Sequence, residues 1–161
     1  MFRSEMTLDG THRVLTAVAS ALLFAGAAGF FVVRPGGLTG IVSLFLVAVF
    51  VVTWALSPCA LVVDGSELRI ERRAMPPVRV ALASVAGATQ IDAIGPGTVR
   101  VFGVGGLFGS YGLFWNKSLG RFRVFATRRR PLVLLRLRDG GLSIVLTPDD
   151  AHGTIAAIER R

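Results

Sequence analysis

The sequence predicts an α+β chain in which two apolar helices form a hairpin ahead of one strand-rich domain closed by a C-terminal helix. Three observations carry this. Residues 14–33 (VLTAVASALLFAGAAGFFVV) run 20 residues without a charge, and residues 38–56 (LTGIVSLFLVAVFVVTWAL) run 19, parted only by Arg34-Pro35-Gly36-Gly37. From Cys59 onward the pattern changes to short runs of alternating residues broken by Gly and Pro. The final TPDDAHGTIAAIERR joins helix-start signals to an apolar face. A bilayer core about 30 Å thick needs about 20 apolar helical residues to cross it. The predicted class is therefore an α+β membrane protein. A transmembrane hairpin at 14–56 lies between a short tail, 1–13, and a soluble domain, 57–161.

The totals agree. The chain has 161 residues, is 52% hydrophobic and carries a net charge of +8. Setting aside the first 56 leaves about 105 residues, enough for one core. That part holds 15 of the 18 basic residues and eight of the ten acids, so most of the positive charge travels with it. A single cysteine, Cys59, excludes an internal disulfide. Of the basic residues 17 are Arg, and Ala, Gly and Val abound, a composition that points to a GC-rich bacterium.

The tail MFRSEMTLDGTHR is short and polar. A cleaved signal peptide competes for residues 1–33, but 20 apolar residues exceed the usual signal core of about 7–15, and a second apolar run follows at once. In the first helix Ala17, Ala21, Ala25 and Gly29 repeat every four residues and so share one face. Small residues let helix backbones approach closely in lipid. The strip is expected to seat the second helix, where Gly40 and Ser43 are also small. Self-association of two hairpins, a homo-oligomer, is its other use. Arg3 and Arg13 precede the helices, Arg34 lies alone in the turn, and many Arg follow, which places both termini on the cytoplasmic side with Trp54 near that interface.

CALVV (59–63), Asp64-Gly65 and ELRIERR (67–73) read as a hairpin, because Asp-Gly suits the positive φ of a type I′ turn. Met75-Pro76-Pro77 ends the second strand. VRVAL (78–82) is a strand, 83–94 a turn leading into another, and TVRVF (98–102) follows Gly95-Pro96-Gly97. In 103–120 glycines interleave with Leu107, Phe108, Tyr111, Phe114 and Trp115, which reads as a long connection. RFRVFAT (121–127) resumes alternation, and LVLLRLR (132–138) pairs through Asp139-Gly140-Gly141 with LSIVLT (142–147). A helix over 148–160 closes the chain, with Thr147 as cap, Pro148 at its first position, Asp149 and Asp150 against the dipole, and Ala151, Ile155 and Ile158 on one face. Seven or eight strands and one helix suggest a small barrel or bent sandwich plugged at one end.

The run VFGVGGLFGSYGLFWNKSLGRFRVFATRRRPLVLL, with TPDD opening the last helix, resembles the membrane-anchored bacterial pleckstrin-homology-like (PH-like) domain proteins over roughly residues 60–161. The aromatic-glycine signature at 105–120 and the following Ala126-Thr127 carry the likeness. The resemblance implies a bent barrel of about seven strands closed by the C-terminal helix. It implies a non-enzymatic module and brings no catalytic residue. Nor does it imply phosphoinositide binding.

The residues themselves give no catalytic constellation. His12 and His152 are far apart, read as surface or interfacial, and neither adjoins an obvious Ser or Cys nucleophile in sequence. One Cys and two distant His make no metal site of recognisable spacing. A Walker loop fails because Asn116 precedes Lys117-Ser118 and Tyr111 stands at the first glycine position. A dinucleotide fingerprint from Gly103 fails at Phe108. No catalytic, cofactor or metal residue is assigned, and Asn116-Lys117-Ser118 is a chance glycosylation acceptor.

What remains is charge and contact area. Lys117, Arg121, Arg123, Arg128, Arg129 and Arg130 lie within 14 residues, followed by Arg136 and Arg138. A solvated strand face is the ordinary explanation. Tethered beside an anionic leaflet, each such cation would add about 1 kcal/mol of attraction. Tyr111 and Trp115 would offer contact area in the glycine stretch, where aromatic packing over the barrel is the plainer reading. No nucleic-acid motif accompanies the basic patch. The expected protein is a binding module of the bacterial cytoplasmic (inner) membrane, presenting its basic domain to a protein partner or to anionic lipid headgroups. The alternative is an accessory subunit held in a larger membrane complex by its helices.

Overall fold

The computed structural model describes residues 1–33, 37–138 and 140–160. Strand β1 (Phe2–Glu5) precedes the helices α1 (Gly10–Val33) and α2 (Leu38–Leu56). Nine strands follow: β2 (Pro58–Asp64), β3 (Glu67–Arg72), β4 (Val78–Ala81), β5 (Val85–Ile91), β6 (Val99–Gly106), β7 (Gly109–Asn116), β8 (Gly120–Ala126), β9 (Leu132–Leu137) and β10 (Ser143–Leu146). Helix α3 (Ala151–Glu159) ends the chain.

Both expected N-terminal helices form. Helix α1 starts ahead of the charge-free run because Asp9 caps it, its Oδ1 accepting the His12 N–H at 2.7 Å. Gly10–Gly29 is long and apolar enough to cross a membrane, and with 11% of it buried it is no core helix of the domain. Gly40–Leu56 is apolar but shorter, so among the described residues the first helix alone meets the spanning length expected of both. The turn Arg34-Pro35-Gly36 lies outside the described residues, as does Asp139 of the second hairpin turn.

The small-residue strip does not seat α2. Ala17, Ala21, Ala25 and Gly29 are all exposed, while Thr16, Ser20, Leu23 and Ala27 on the neighbouring stripe are more covered. Hydroxyls decide the choice. Ser20 Oγ donates to the Thr16 carbonyl at 2.6 Å, and Ser43 Oγ of α2 donates across to the Ala27 carbonyl at 3.4 Å. A covered polar group needs a partner, and alanine needs none.

The tail is not a tail. Phe2–Glu5 pairs antiparallel with β2, Phe2 opposite Val63 and Glu5 opposite Ala60. Ser4 and Met6 point inward while Arg3 and Glu5 face out, where Arg3 bridges Glu5 at 3.0 Å and Glu71 at 3.2 Å. The residues before α1 and after α2 thus belong to one sheet, and both outer ends of the helix pair lie against the same domain.

The expected closed barrel of about seven strands is corrected to ten strands among the described residues, in two sheets ordered β1-β2-β3-β4 and β5-β9-β10-β8-β7-β6. Strands β8 and β10 run parallel and the other neighbours antiparallel. The tail adds one strand, and the glycine stretch adds a hairpin, β6–β7, where a connection was expected. Gly103 and Gly112 sit opposite each other at φ +124° and +136°, and a Cβ on either would strike the facing backbone. Glycine here permits a close, twisted ladder. With β6 left as an edge, the second sheet does not wrap shut.

One core, including Leu61, Leu68, Ile70, Leu135 and Ile144, is flanked by both sheets and α3. Alternation along β8, β9 and β10 sends Phe122, Val124, Leu134 and Val145 to the opposite face, into a second cluster with Ile94 and Phe114. The helix start also differs from expectation. Thr147 Oγ1 accepts the Thr127 N–H at 2.8 Å, and Asp149 is bound to Thr7. Asp150 therefore caps α3, taking the Gly153 N–H at 2.8 Å, and Pro148 stays outside the helix.

Candidate functional site

The β6–β7 hairpin positions the domain on the helices. Its tip residue Phe108 donates its N–H to Thr16 Oγ1 at 3.0 Å and stacks edge-on against Phe50, which meets Phe24 in turn. The Tyr111 hydroxyl donates to the Thr53 carbonyl. The Trp54 carbonyl takes the Ser57 N–H at 3.2 Å, and the Ala55 carbonyl takes the Ala74 N–H at 3.2 Å. Carbonyls in the last turn of a helix lack intrahelical partners, so the domain terminates α2. Tyr111 is buried here, its phenol pushed up in pKa by burial. Trp115, at 44% exposure, is open on β7 opposite Arg121.

The basic residues divide between two faces. Arg121 and Arg123 are exposed on the side of β8 opposite Phe122 and Val124, and Lys117 is exposed in the β7–β8 turn. Arg128, Arg129 and Arg130 form the β8–β9 turn. Arg128 is engaged internally, donating to Thr7 and pairing with Asp149. Arg129 and Arg130 are exposed, and neither makes an ion pair among the described residues.

Asp9 fixes this turn to α1. Its Oδ2 accepts the Arg129 N–H at 3.1 Å, while Oδ1 faces both the backbone N–H and ring Nδ1 of His12. Burial works against the carboxylate's charge, but these hydrogen bonds outweigh it and hold Asp9 below the usual carboxylate range. His12 is buried beside it, whereas His152 is exposed on α3. The role of Asp9 is missing from the sequence expectations, although Asp-x-x-His ahead of an apolar run is a readable cap signal.

Next to the turn lies a cavity of about 480 Å³, floored by Val124, Ala126, Leu132 and Phe114 and rimmed by His12 and the three arginines. It is large enough for a small ligand. Asp92 lines it as well, so the rim carries both signs of charge with the cations in excess. Among the described residues no three His, Cys, Asp or Glu side chains gather to hold a metal ion.

Two sheets closed by a C-terminal helix, with a basic turn over a cavity, form the domain that follows the two N-terminal helices. A family model described as Bacterial PH domain matches residues 60–161, and the chain belongs to that family. No curated protein and no solved structure matches the chain.

Proposed function

We propose that this chain is a membrane-anchored, non-enzymatic binding module. The observation that carries the reading is the apolar surface of the helices. Val14, Val18, Leu22 and Val32 of α1 and Leu38, Ile41, Leu44 and Phe45 of α2 are all exposed. A surface of that extent is costly in water and ordinary in lipid. The pairing of β1 with β2 supports an arrangement with both termini on one side, and the arginine bias makes that side the cytoplasmic face of a bacterial inner membrane. Arg129 and Arg130, hung beside the start of α1, would then meet anionic headgroups or an acidic protein segment.

The test is extraction of cell membranes with alkaline carbonate. Retention of the full chain in the pellet is expected, and its release into the supernatant would overturn the anchored reading.

One observation favours a second reading, an accessory subunit held by its helices. The strip Ala17, Ala21, Ala25 and Gly29 is exposed and unused by α2, which leaves it open to another helix. Capture of a partner that survives Arg129→Glu and Arg130→Glu but is lost on Ala21→Leu and Ala25→Leu would select this reading over the first.

A further inference from the structure

A second cavity, of about 560 Å³, lies where α2 meets the β6–β7 hairpin. Its walls are Val52 and Leu56 from the end of α2, Phe102 and Val104 from β6, and Phe125 from β8. Two cations line it, Arg72 at the end of β3 and Arg100 on β6. Neither is paired with a carboxylate among the described residues, and Arg72 donates to the Pro76 carbonyl from Nε, at 2.8 Å, and from Nη2, which leaves Nη1 for a ligand. The cavity opens beside exposed apolar residues of the β6 edge, Val99 at 58%, Val101 at 53% and Phe102 at 79%. An unpartnered apolar edge strand is normally covered or charged.

We infer that this cavity holds one acyl chain of an anionic phospholipid, with the headgroup phosphate at Arg72 and Arg100. The inference rests on the membrane-anchored reading, which places the end of α2 at the headgroup level. Three features select this occupant. The walls are apolar and suit a hydrocarbon chain. Among the described residues the charges lining the cavity are both positive, which complements a phosphate. Its wall is continuous with the exposed apolar face of α2, along which a lipid chain can enter without crossing water. A peptide strand added to β6 would pair its backbone but leave both guanidiniums without a counter-charge.

Arg72 and Arg100 lie 28 positions apart in sequence and on different sheets. Arg100 stands alone in sequence and Arg72 sits in Glu71-Arg72-Arg73, both outside the basic cluster at 117–130, which plays no part here.

The test uses the full chain in mild detergent, incubated with dioleoyl phosphatidylglycerol or dioleoyl phosphatidylcholine, with retained lipid counted by native mass spectrometry. The wild type should retain one phosphatidylglycerol, with about tenfold preference over phosphatidylcholine for the charge-assisted contacts. Arg72→Gln with Arg100→Gln should remove that preference. Val104→Phe, which fills the cavity, should reduce retention of both lipids. Arg129→Gln with Arg130→Gln should leave retention unchanged, which separates this site from the turn cavity.

The inference is overturned if the wild type retains no lipid or retains both equally. It is also overturned if the Arg72 and Arg100 variant keeps its preference, or if palmitate alone is retained. Loss of retention on changing Arg129 and Arg130 instead would move the lipid to the other cavity. Release by carbonate would sink the anchored reading separately, so the two failures are told apart.

Discussion

Asp9 joins three parts of the molecule, and replacing it has a calculable effect. Asp9→Ala removes the α1 cap, which costs about 1 kcal/mol. It also removes the acceptor for the Arg129 N–H, a loss of about 1 kcal/mol for a hydrogen bond of ordinary strength. The total of about 2 kcal/mol corresponds to a fall of about 4–8 °C in melting temperature for a chain of this size. Asp9→Asn should lose about half as much, because Asn caps as well as Asp, but an amide nitrogen at the second position cannot accept from Arg129. The order wild type, Asn, Ala is the signature of a residue that caps and tethers at once.

pH supplies a second handle. The folded carboxyl lies below its ordinary value of 3.8, so its stabilisation is fully present above that value and is lost as pH falls through the folded pKa. The gap between wild type and Asp9→Asn should hold steady from about pH 5 upward and narrow in stronger acid. Thermal unfolding in mild detergent, followed by Trp54 and Trp115 fluorescence, measures both effects. Equal melting of all three proteins, or a gap indifferent to acid, would refute the reasoning.

Four further outcomes are expected. Tyr111→Phe leaves the Thr53 carbonyl without its donor and should cost about 1–3 kcal/mol, seen as faster hydrogen exchange in the last turn of α2. Gly112→Ala should destabilise by about 3 kcal/mol or more, since its Cβ meets the Phe102 carbonyl at a φ that L side chains rarely adopt, and loss of the folded melt would register it. Ala21→Leu should shift the melt of the isolated chain by less than about 0.5 kcal/mol, because the position is exposed, whereas Ser43→Leu should disrupt the helix pair by overpacking. Burial raises the Cys59 thiol pKa, so alkylation by iodoacetamide at neutral pH should be slower than in the unfolded chain and accelerate as pH rises.

The elements that were legible in the sequence carry a local signal. Twenty uncharged residues make α1 helical wherever it lies, and Leu68 and Ile70 are buried as their alternation requires. The hairpin of β2 and β3 also forms, its two-residue turn at Gly65-Ser66 falling one position beyond the Asp-Gly expected. Where glycine replaces side chains the signal fades. Residues 103–116 show little alternation to read, yet they pair on both sides of the turn at Leu107-Phe108, because their ladder depends on the close backbone approach that glycine permits. The basic cluster was visible as composition, while its division was not. Strand alternation sends Arg121 and Arg123 to one side, and Asp149 and Thr7, distant in sequence, occupy Arg128.

By itself, then, the sequence determined the apolar helix pair, the strand-rich domain with its closing helix, the membership of a PH-like family and the position of its charge. The family rests on the likeness of one long run, and the other three follow from periodicity, turn chemistry or residue type within a short window. Only the tertiary structure decided that residues 2–5 complete a sheet begun more than 50 residues later, that the alanine strip faces outward, and that two arginines remain open beside a cavity. Those outcomes depend on which backbone groups and hydroxyls find partners across long separations. A local pattern carries no record of that competition.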